Sequence, residues 1–350
     1  LFFFLRLALY REKNKTYNQE QRPVSVVICA KNERRNLEKN LPLILEQNYP
    51  NFEVIVVNDN STDDSFELLI DLAAKYPQLQ YRNIEQESRL LLGKKYAITV
   101  GMRAAQNEIV LLTDADTEPT SKEWIALMEK KFVKGKDIVL GFSPYKRYPG
   151  LLNKCIRYET FMTALQYFSY ALNGLTYMGV GRNLAYRKQL FFAYNVYVKY
   201  PELISGDDDL VINEAATSGN TAIQLDKNSF MYSEPKKHWD EWYNQKRRHM
   251  STGRYYKFKH QFFLGLFSVS HFLFFTAAVL TALYAQLPWW MVPAFVGGRW
   301  MLMTLIYYPV MRKLDQKDLL AVLPVMDILQ LLYHYRLMPA VLKNTVSKWK

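Results

Sequence analysis

Asp114-Ala115-Asp116 closes an apolar run, Ile109-Val110-Leu111-Leu112. In an extended chain residues i and i+2 point to one side, so two carboxylates face one spot at a strand tip. Hard oxygen ligands of this kind suit Mg²⁺ or Mn²⁺, which take one or two carboxylates and complete the shell with phosphate oxygens. A second acidic group, Gly206-Asp207-Asp208-Asp209, precedes an apolar helical pattern. Crowded like charges raise a carboxylate pKa, which suits a general base that takes a proton from an attacking hydroxyl. The same acids also suit a helix N-cap cluster. The third group is Gln245-Lys246-Arg247-Arg248-His249. Gln245 and Arg248 share a helix face and could hold a diphosphate and an acceptor. A cationic helix beside a membrane also serves as a lipid-facing collar.

The elements that must position these groups are legible in the hydrophobic pattern. Residues 24–30, 52–59, 108–116 and 137–143 are short β-branched runs, apolar on both sides of the pleat. Such runs suit parallel strands covered by helices. Between and after them lie helical stretches at 33–46, 64–75, 94–105 and 121–134. The alternation predicts a doubly wound α/β layer with a mostly parallel sheet. Ligands in such sheets bind beyond the carboxyl ends of the strands. Asn32, Glu33, Asp59, Asp114 and Asp116 collect there.

Residues 151–172 read as a helix with a broad apolar and aromatic stripe. Phe262–Ala285 and Leu287–Met311 are each long enough for the run of about 20 apolar residues that crosses a bilayer. Arg299 interrupts the second and is expected to face protein or a headgroup. The link at 285–290, AQLPWW, has no basic residue. Arg247, Arg248, Arg254, Lys257 and Lys259 precede the pair, and Arg312, Lys313 and Lys317 follow it. The positive-inside rule puts both flanks in the cytosol. The expected division is 1–12 as the remnant of an N-terminal membrane segment, 23–260 as a cytoplasmic α/β domain with interface helices, 261–311 as two transmembrane helices, and 319–342 as a further spanning or interfacial segment.

Composition agrees. A net charge of +12 suits polyanions: nucleic acid, an anionic lipid surface or phosphorylated small molecules. Two distant cysteines, Cys29 and Cys155, argue against a disulfide framework and fit a reducing compartment. No HExxH pattern or Cys/His cluster suggests zinc.

Together the motifs resemble family 2 glycosyltransferases, the inverting enzymes with a GT-A fold, in their membrane-integrated branch. Residues 24–65 look like the family's opening, and GKKYAITVGM (93–102) is similar to its GKxxALNxG segment. Asp114-Ala115-Asp116 matches DxD, and Gly206-Asp207-Asp208 matches GDD. Ser233-Glu234-Pro235 resembles TExP. Gln245 to His249 matches QxxRW, with His249 in place of Trp. The resemblance implies that Ala30 and Glu33 lie at the first strand end and that Asp59 contacts the nucleotide base. It puts Lys94 near the donor phosphates and Asp114 near the ribose or sugar. Asp116, with Asp114, holds Mg²⁺ or Mn²⁺, and Gln245 and Arg248 address the diphosphate and acceptor. The base is Asp207 on one alignment and Asp208 on another. Residues 179–187 form the acceptor-side wall. The implied partners are a nucleotide sugar, UDP-linked being commonest, a lipid-linked or glycan acceptor and membrane lipids, with no nucleic acid. The implied location is the bacterial inner membrane, multi-pass. The alternatives are a processive polysaccharide synthase, an inactive nucleotide-binding membrane scaffold and a soluble nucleotidyltransferase.

Overall fold

The computed structural model describes residues 2–12, 21–85, 93–194, 196–200, 203, 205–206 and 208–342. In chain order the first half holds α1 (Phe2–Leu9), β1 (Val24–Ala30), α2 (Arg34–Leu45), β2 (Phe52–Asp59), α3 (Ser65–Lys75), β3 (Leu79–Ile84), α4 (Lys95–Ala104), β4 (Ile109–Asp114), β5 (Thr117–Pro119), α5 (Trp124–Glu129) and β6 (Ile138–Leu140). Then follow α6 (Leu151–Leu172), β7 (Leu184–Arg187), α7 (Lys188–Tyr194), α8 (Val196–Lys199), α9 (Asp209–Ala215), β8 (Thr221–Ile223), β9 (Met231–Ser233) and α10 (Trp239–Met250). The chain continues into α11 (Phe258–Tyr284), α12 (Met291–Lys313) and α13 (Leu323–Leu342).

The side-chain period of two in β1 sorts its residues between two cores. Val24, Val26, Ile28 and Ala30 pack with Leu37, Leu41 and Ile44 of α2 and Leu69 of α3. Val27 and Cys29 pack on the other face with Ala97, Ile98 and Met102 of α4. Burying each such aliphatic side chain contributes about 1.5–3 kcal/mol. Gly101 lets α4 lie close on the sheet: a Cβ there would stand 2.5 Å from Val27 Cγ1. The sheet order is β3-β2-β1-β4-β7-β6-β8. β1 to β4 run parallel, β7 runs antiparallel to β4 and β6, and β8 is parallel to β6. The sheet is therefore mixed but mostly parallel, and its first four carboxyl ends share one edge.

Two expected boundaries shift. The helix read at 121–134 covers only Trp124–Glu129, and the chain then turns through Gly135, whose φ is +79°. The strand read at 137–143 pairs only over Ile138–Leu140. After it, Gly141 passes directly over the buried Asn183, whose amide donates to Phe142 O and Ser229 O, both at 2.8 Å. That contact draws 142–145 off the sheet toward β9.

The helical layer is tied together by polar side chains. α1 packs on α6 and α12, with Phe3 against Tyr170 and Phe4 against Tyr307. Lys313 Nζ caps the end of α1 through Leu7 O (2.8 Å) and Ala8 O (2.6 Å). The buried Arg157 of α6 grips Gln316 and, through two 2.7 Å bonds, Asp318. Arg299 of α12 faces protein: it bonds Asp327 of α13 at 2.9 and 3.1 Å, where Trp300 and His271 also converge. Among the described residues one helix, Phe258–Tyr284, is long and apolar enough to cross a membrane.

Candidate active site

The turn after β4 is pinned from three sides. Thr117 Oγ1 donates to Asp114 O (2.6 Å), Thr113 and Thr117 share a 2.6 Å hydroxyl contact, and Asn40 of α2 donates to Ala115 O (3.0 Å). β5 then pairs antiparallel with β9, so Thr117 stands opposite Ser233. Fixed backbone fixes the direction of the two carboxylates.

They are not equivalent. Lys94, just before α4, binds Asp114 Oδ1 directly. Burial pushes the Asp114 carboxyl up, but Lys94, then Arg182 and Arg248, outweigh it and hold the pKa below the usual aspartate value. Asp116 goes the other way. Burial raises it, and the Asp114 charge raises it further, against Arg182, Lys94 and Lys236. Asp116 Oδ1 is buried and has no hydrogen-bond partner among the described residues. A buried carboxylate oxygen left unpaired is costly, and it marks a place where a cation fits. No group of three or more His, Cys, Asp or Glu side chains able to hold a metal occurs among the described residues. The fit is therefore to an ion that draws its other ligands from a substrate.

The cation nearest this pair that sequence reasoning missed is Arg182. Its guanidinium lies 4.4 Å over the Tyr145 ring and donates to Ser143 O at 3.2 Å. Its carbonyl accepts from Thr113 (3.0 Å), and its neighbour Asn183 is bonded to Trp124 (3.0 Å). Nothing in the spacing of GVGRNLAYR separates Arg182 from Arg187, which instead pairs with Glu108 and Asp137 at the other end of the sheet.

The acidic loop enters α9 through Gly206, at φ +91°. Asp208 caps α9: one oxygen takes the N–H of Asp209 (2.8 Å), the other that of Gly181 (2.6 Å). Asp209 is buried and accepts from Thr252 and Tyr256, each at 2.6 Å. That carboxylate ties the end of α10 to the start of α9. Gln245 and Arg248 on α10 face the same space, with Gln245 Nε2 3.5 Å from the Tyr145 hydroxyl. His249 lines it too. Its ring is open to the cavity, yet desolvation by the surrounding wall, with Lys246, Arg248 and Arg182 nearby, pushes its pKa below the usual histidine value.

One cavity of about 1130 Å³ joins these groups. Glu33, Lys94, Asp114, Asp116, Asp208, Gln245 and Arg248 all line it, and so does Arg182. Ala30 and Asp59 do not line it: they are buried at the ends of β1 and β2. Asp207 lies outside the described residues.

Residues 25–192 match the family model described as Glycosyl transferase family 2. That match covers just under half of the chain. Over 100 residues it is 32% identical to the beta-monoglucosyldiacylglycerol synthase of Nostoc sp. (strain PCC 7120), across 28% of this chain and 21% of that protein. Over 103 residues it is 28% identical to the poly-beta-1,6-N-acetyl-D-glucosamine synthase of Staphylococcus epidermidis, across 29% of this chain and 24% of that protein. The matched part thus spans about a quarter or less of these relatives. Among solved structures, the mannosyltransferase PcManGT of Pyrobaculum calidifontis, in complex with GDP-Man and Mn²⁺, superposes with a TM-score of 0.59 at 19% identity. That likeness covers 95% of this chain and 93% of that one, and it is a likeness of fold. The mixed sheet and the helices packed on it both fall within the shared fold.

Proposed function

We propose that the chain is a membrane-bound, metal-dependent, inverting glycosyltransferase. It moves a sugar from a nucleoside-diphosphate donor to a hydroxyl of a lipid-linked or glycan acceptor. The observation that carries this reading is the meeting, in one cavity, of an orphaned Asp116 oxygen, the cations Lys94, Arg182 and Arg248, and the acidic loop at Asp208.

Asp116 would hold the Mg²⁺ or Mn²⁺ ion, with Asp114 beside it; bound there, the ion neutralises charge on the leaving diphosphate. The Mn²⁺ and GDP-Man held by PcManGT support the ion and the donor class. The chain's own cations do the rest. Arg182 and Arg248 converge on the acid pair and orient the diphosphate, offsetting the charge that grows as the anomeric C–O bond breaks. Lys94 keeps Asp114 ionised beside them. A carboxylate of the acidic loop accepts the proton of the acceptor hydroxyl, a contribution of about 10²–10⁴-fold. Both Asp208 oxygens are already engaged by backbone N–H groups in capping α9, which favours Asp207 as the base, with Asp208 as the residue that orients the loop. Attack opposite the leaving group inverts the anomeric centre.

Residues 23–260 then form the cytoplasmic catalytic domain, and 1–12, 261–311 and 319–342 the membrane part of a multi-pass inner-membrane protein. Exposed apolar side chains along α11 and the exposed Trp289 and Trp290 in the link support this, since such rings favour the headgroup level. The test is a panel of nucleotide sugars offered to membranes containing the chain, with Mg²⁺, Mn²⁺ or a chelator. Ion-dependent release of a nucleoside diphosphate from one donor is the expected result. Release from none would end the reading and leave the scaffold alternative.

A further inference from the structure

The cavity does not stop at the acids. Its lining continues onto Thr163 and Gln166 of α6, Gly265 and Ser268 of α11, and Gln330 and Tyr333 of α13. Each pair is three residues apart, so each lies on one face of its helix. The wall they make is polar and almost uncharged. Among the described cavity-lining side chains of α6, α11 and α13 only Glu159 carries a charge, and Lys246 of α10 is bound to it. Gln330 is only 9% exposed, and its Oε1 has no hydrogen-bond partner among the described residues. A buried amide oxygen of this kind calls for a donor, and an O–H supplies one. Among the described lining side chains of these three helices a phosphate meets no cation; Lys246, Arg247 and Arg254, which also line the cavity, belong to α10 and the turn after it. Nothing lies within 4 Å of where a Cβ on Gly265 would be, so the α11 wall is open at that point. Flanking the same stretches, Phe262, Leu266 and Val269 of α11 and Ile328 and Leu332 of α13 are exposed.

We propose, resting on the glycosyltransferase reading, that this arm of the cavity takes the acceptor, and that the acceptor is a lipid with an uncharged, hydroxyl-bearing head. Its head lies among Thr163, Gln166, Ser268 and Gln330, and its chains lie against the apolar faces of α11 and α13. In the transfer the head's hydroxyl oxygen bonds to the anomeric carbon. The bond from that carbon to the diphosphate oxygen breaks with its electron pair, and the hydroxyl proton passes to the acidic loop.

The test uses the full chain in lipid nanodiscs, with the donor that the panel selects. Diacylglycerol is the neutral lipid probe, and a polyprenyl phosphate and a soluble oligosaccharide are the contrasts. Transfer to diacylglycerol should exceed transfer to either contrast at least ten-fold. Gly265→Leu fills the open point with a residue that favours helix over glycine, so the fold is kept. It should raise the acceptor KM at least ten-fold and leave the donor KM within two-fold. Gln330→Leu should raise the acceptor KM about five-fold. Faster transfer to the polyprenyl phosphate or the oligosaccharide, or an unchanged acceptor KM in Gly265→Leu, would overturn the inference while donor turnover upholds the glycosyltransferase reading. Absence of donor turnover in the unsubstituted chain would overturn both.

Discussion

Lys94→Met keeps the reach of the side chain and removes its charge. In the structure the Lys94 ammonium is bound to Asp114, with 14% of the lysine side chain and 34% of the aspartate side chain exposed. Hydrogen bonds to charged groups contribute about 1.5–3 kcal/mol. A third of the Asp114 side chain meets solvent, which screens the pair and selects the lower part of that range, about 1.5–2 kcal/mol. If that energy serves the donor complex, kcat/KM falls about 10–30-fold. The pair also sets a pH dependence. Lys94 opposes the burial that pushes Asp114 up, and it opposes the burial and the Asp114 charge that raise Asp116. Without it both carboxyls protonate at higher pH, so the acid limb of the kcat/KM profile moves upward. The assay is donor turnover from pH 5 to 9 in wild type, Lys94→Met, Asp114→Asn and the double variant. Coupling of at least about 0.5 kcal/mol is expected, because the singles remove two ends of one contact. An unmoved acid limb together with fully multiplicative losses would refute the assignment of Lys94 to Asp114.

Three further outcomes follow from the packing. Gly101→Ala puts a methyl 2.5 Å from Val27 Cγ1 in a full core, and overpacking of this kind destabilises by about 1–3 kcal/mol; the thermal midpoint should fall. Asp209→Asn removes the charge that Thr252 and Tyr256 share; it should lower the thermal midpoint and raise the donor KM, because α10 then loses its tie to the acidic loop. Arg157→Ala should destabilise by about 1.5–2 kcal/mol at neutral pH, the lower part of the range for charged hydrogen bonds, because 42% of the Asp318 side chain meets solvent. Burial raises the Asp318 pKa, but Arg157 outweighs it and holds it below the usual value, so this stability is present above the ordinary aspartate range and lost as pH falls through the depressed value. Denaturation at pH 7 and pH 3 should show the difference between variant and wild type shrinking at the lower pH.

β1, β2 and β4 were legible because helices cover both faces of the sheet, so their residues are apolar without alternation. β3, LQYRNI, sits at the sheet edge with only its first and last residues buried, and its pattern is that of a loop. β7 and β8 have four and three residues, too few for any period to show. In α6 the apolar stripe was wide enough that its span, 151–172, is recovered in full. At the site, short acidic motifs drew attention because like charges in sequence need an explanation. Arg182 drew none, since its partners Asp114, Asp116 and Tyr145 come from other parts of the chain. The Lys94–Asp114 contact was equally invisible: twenty residues separate the partners, and only the packing of α4 on the sheet brings them together.

The central claim is that Asp116 seats a divalent cation against the donor's diphosphate. Its most direct test is the rate of donor hydrolysis by Asp116→Asn as Mn²⁺ is raised, measured beside the unsubstituted chain with equal thermal midpoints. The account predicts a rate that climbs and saturates in the unsubstituted chain and stays flat in the variant. The same climb with the same half-saturation in both would contradict it.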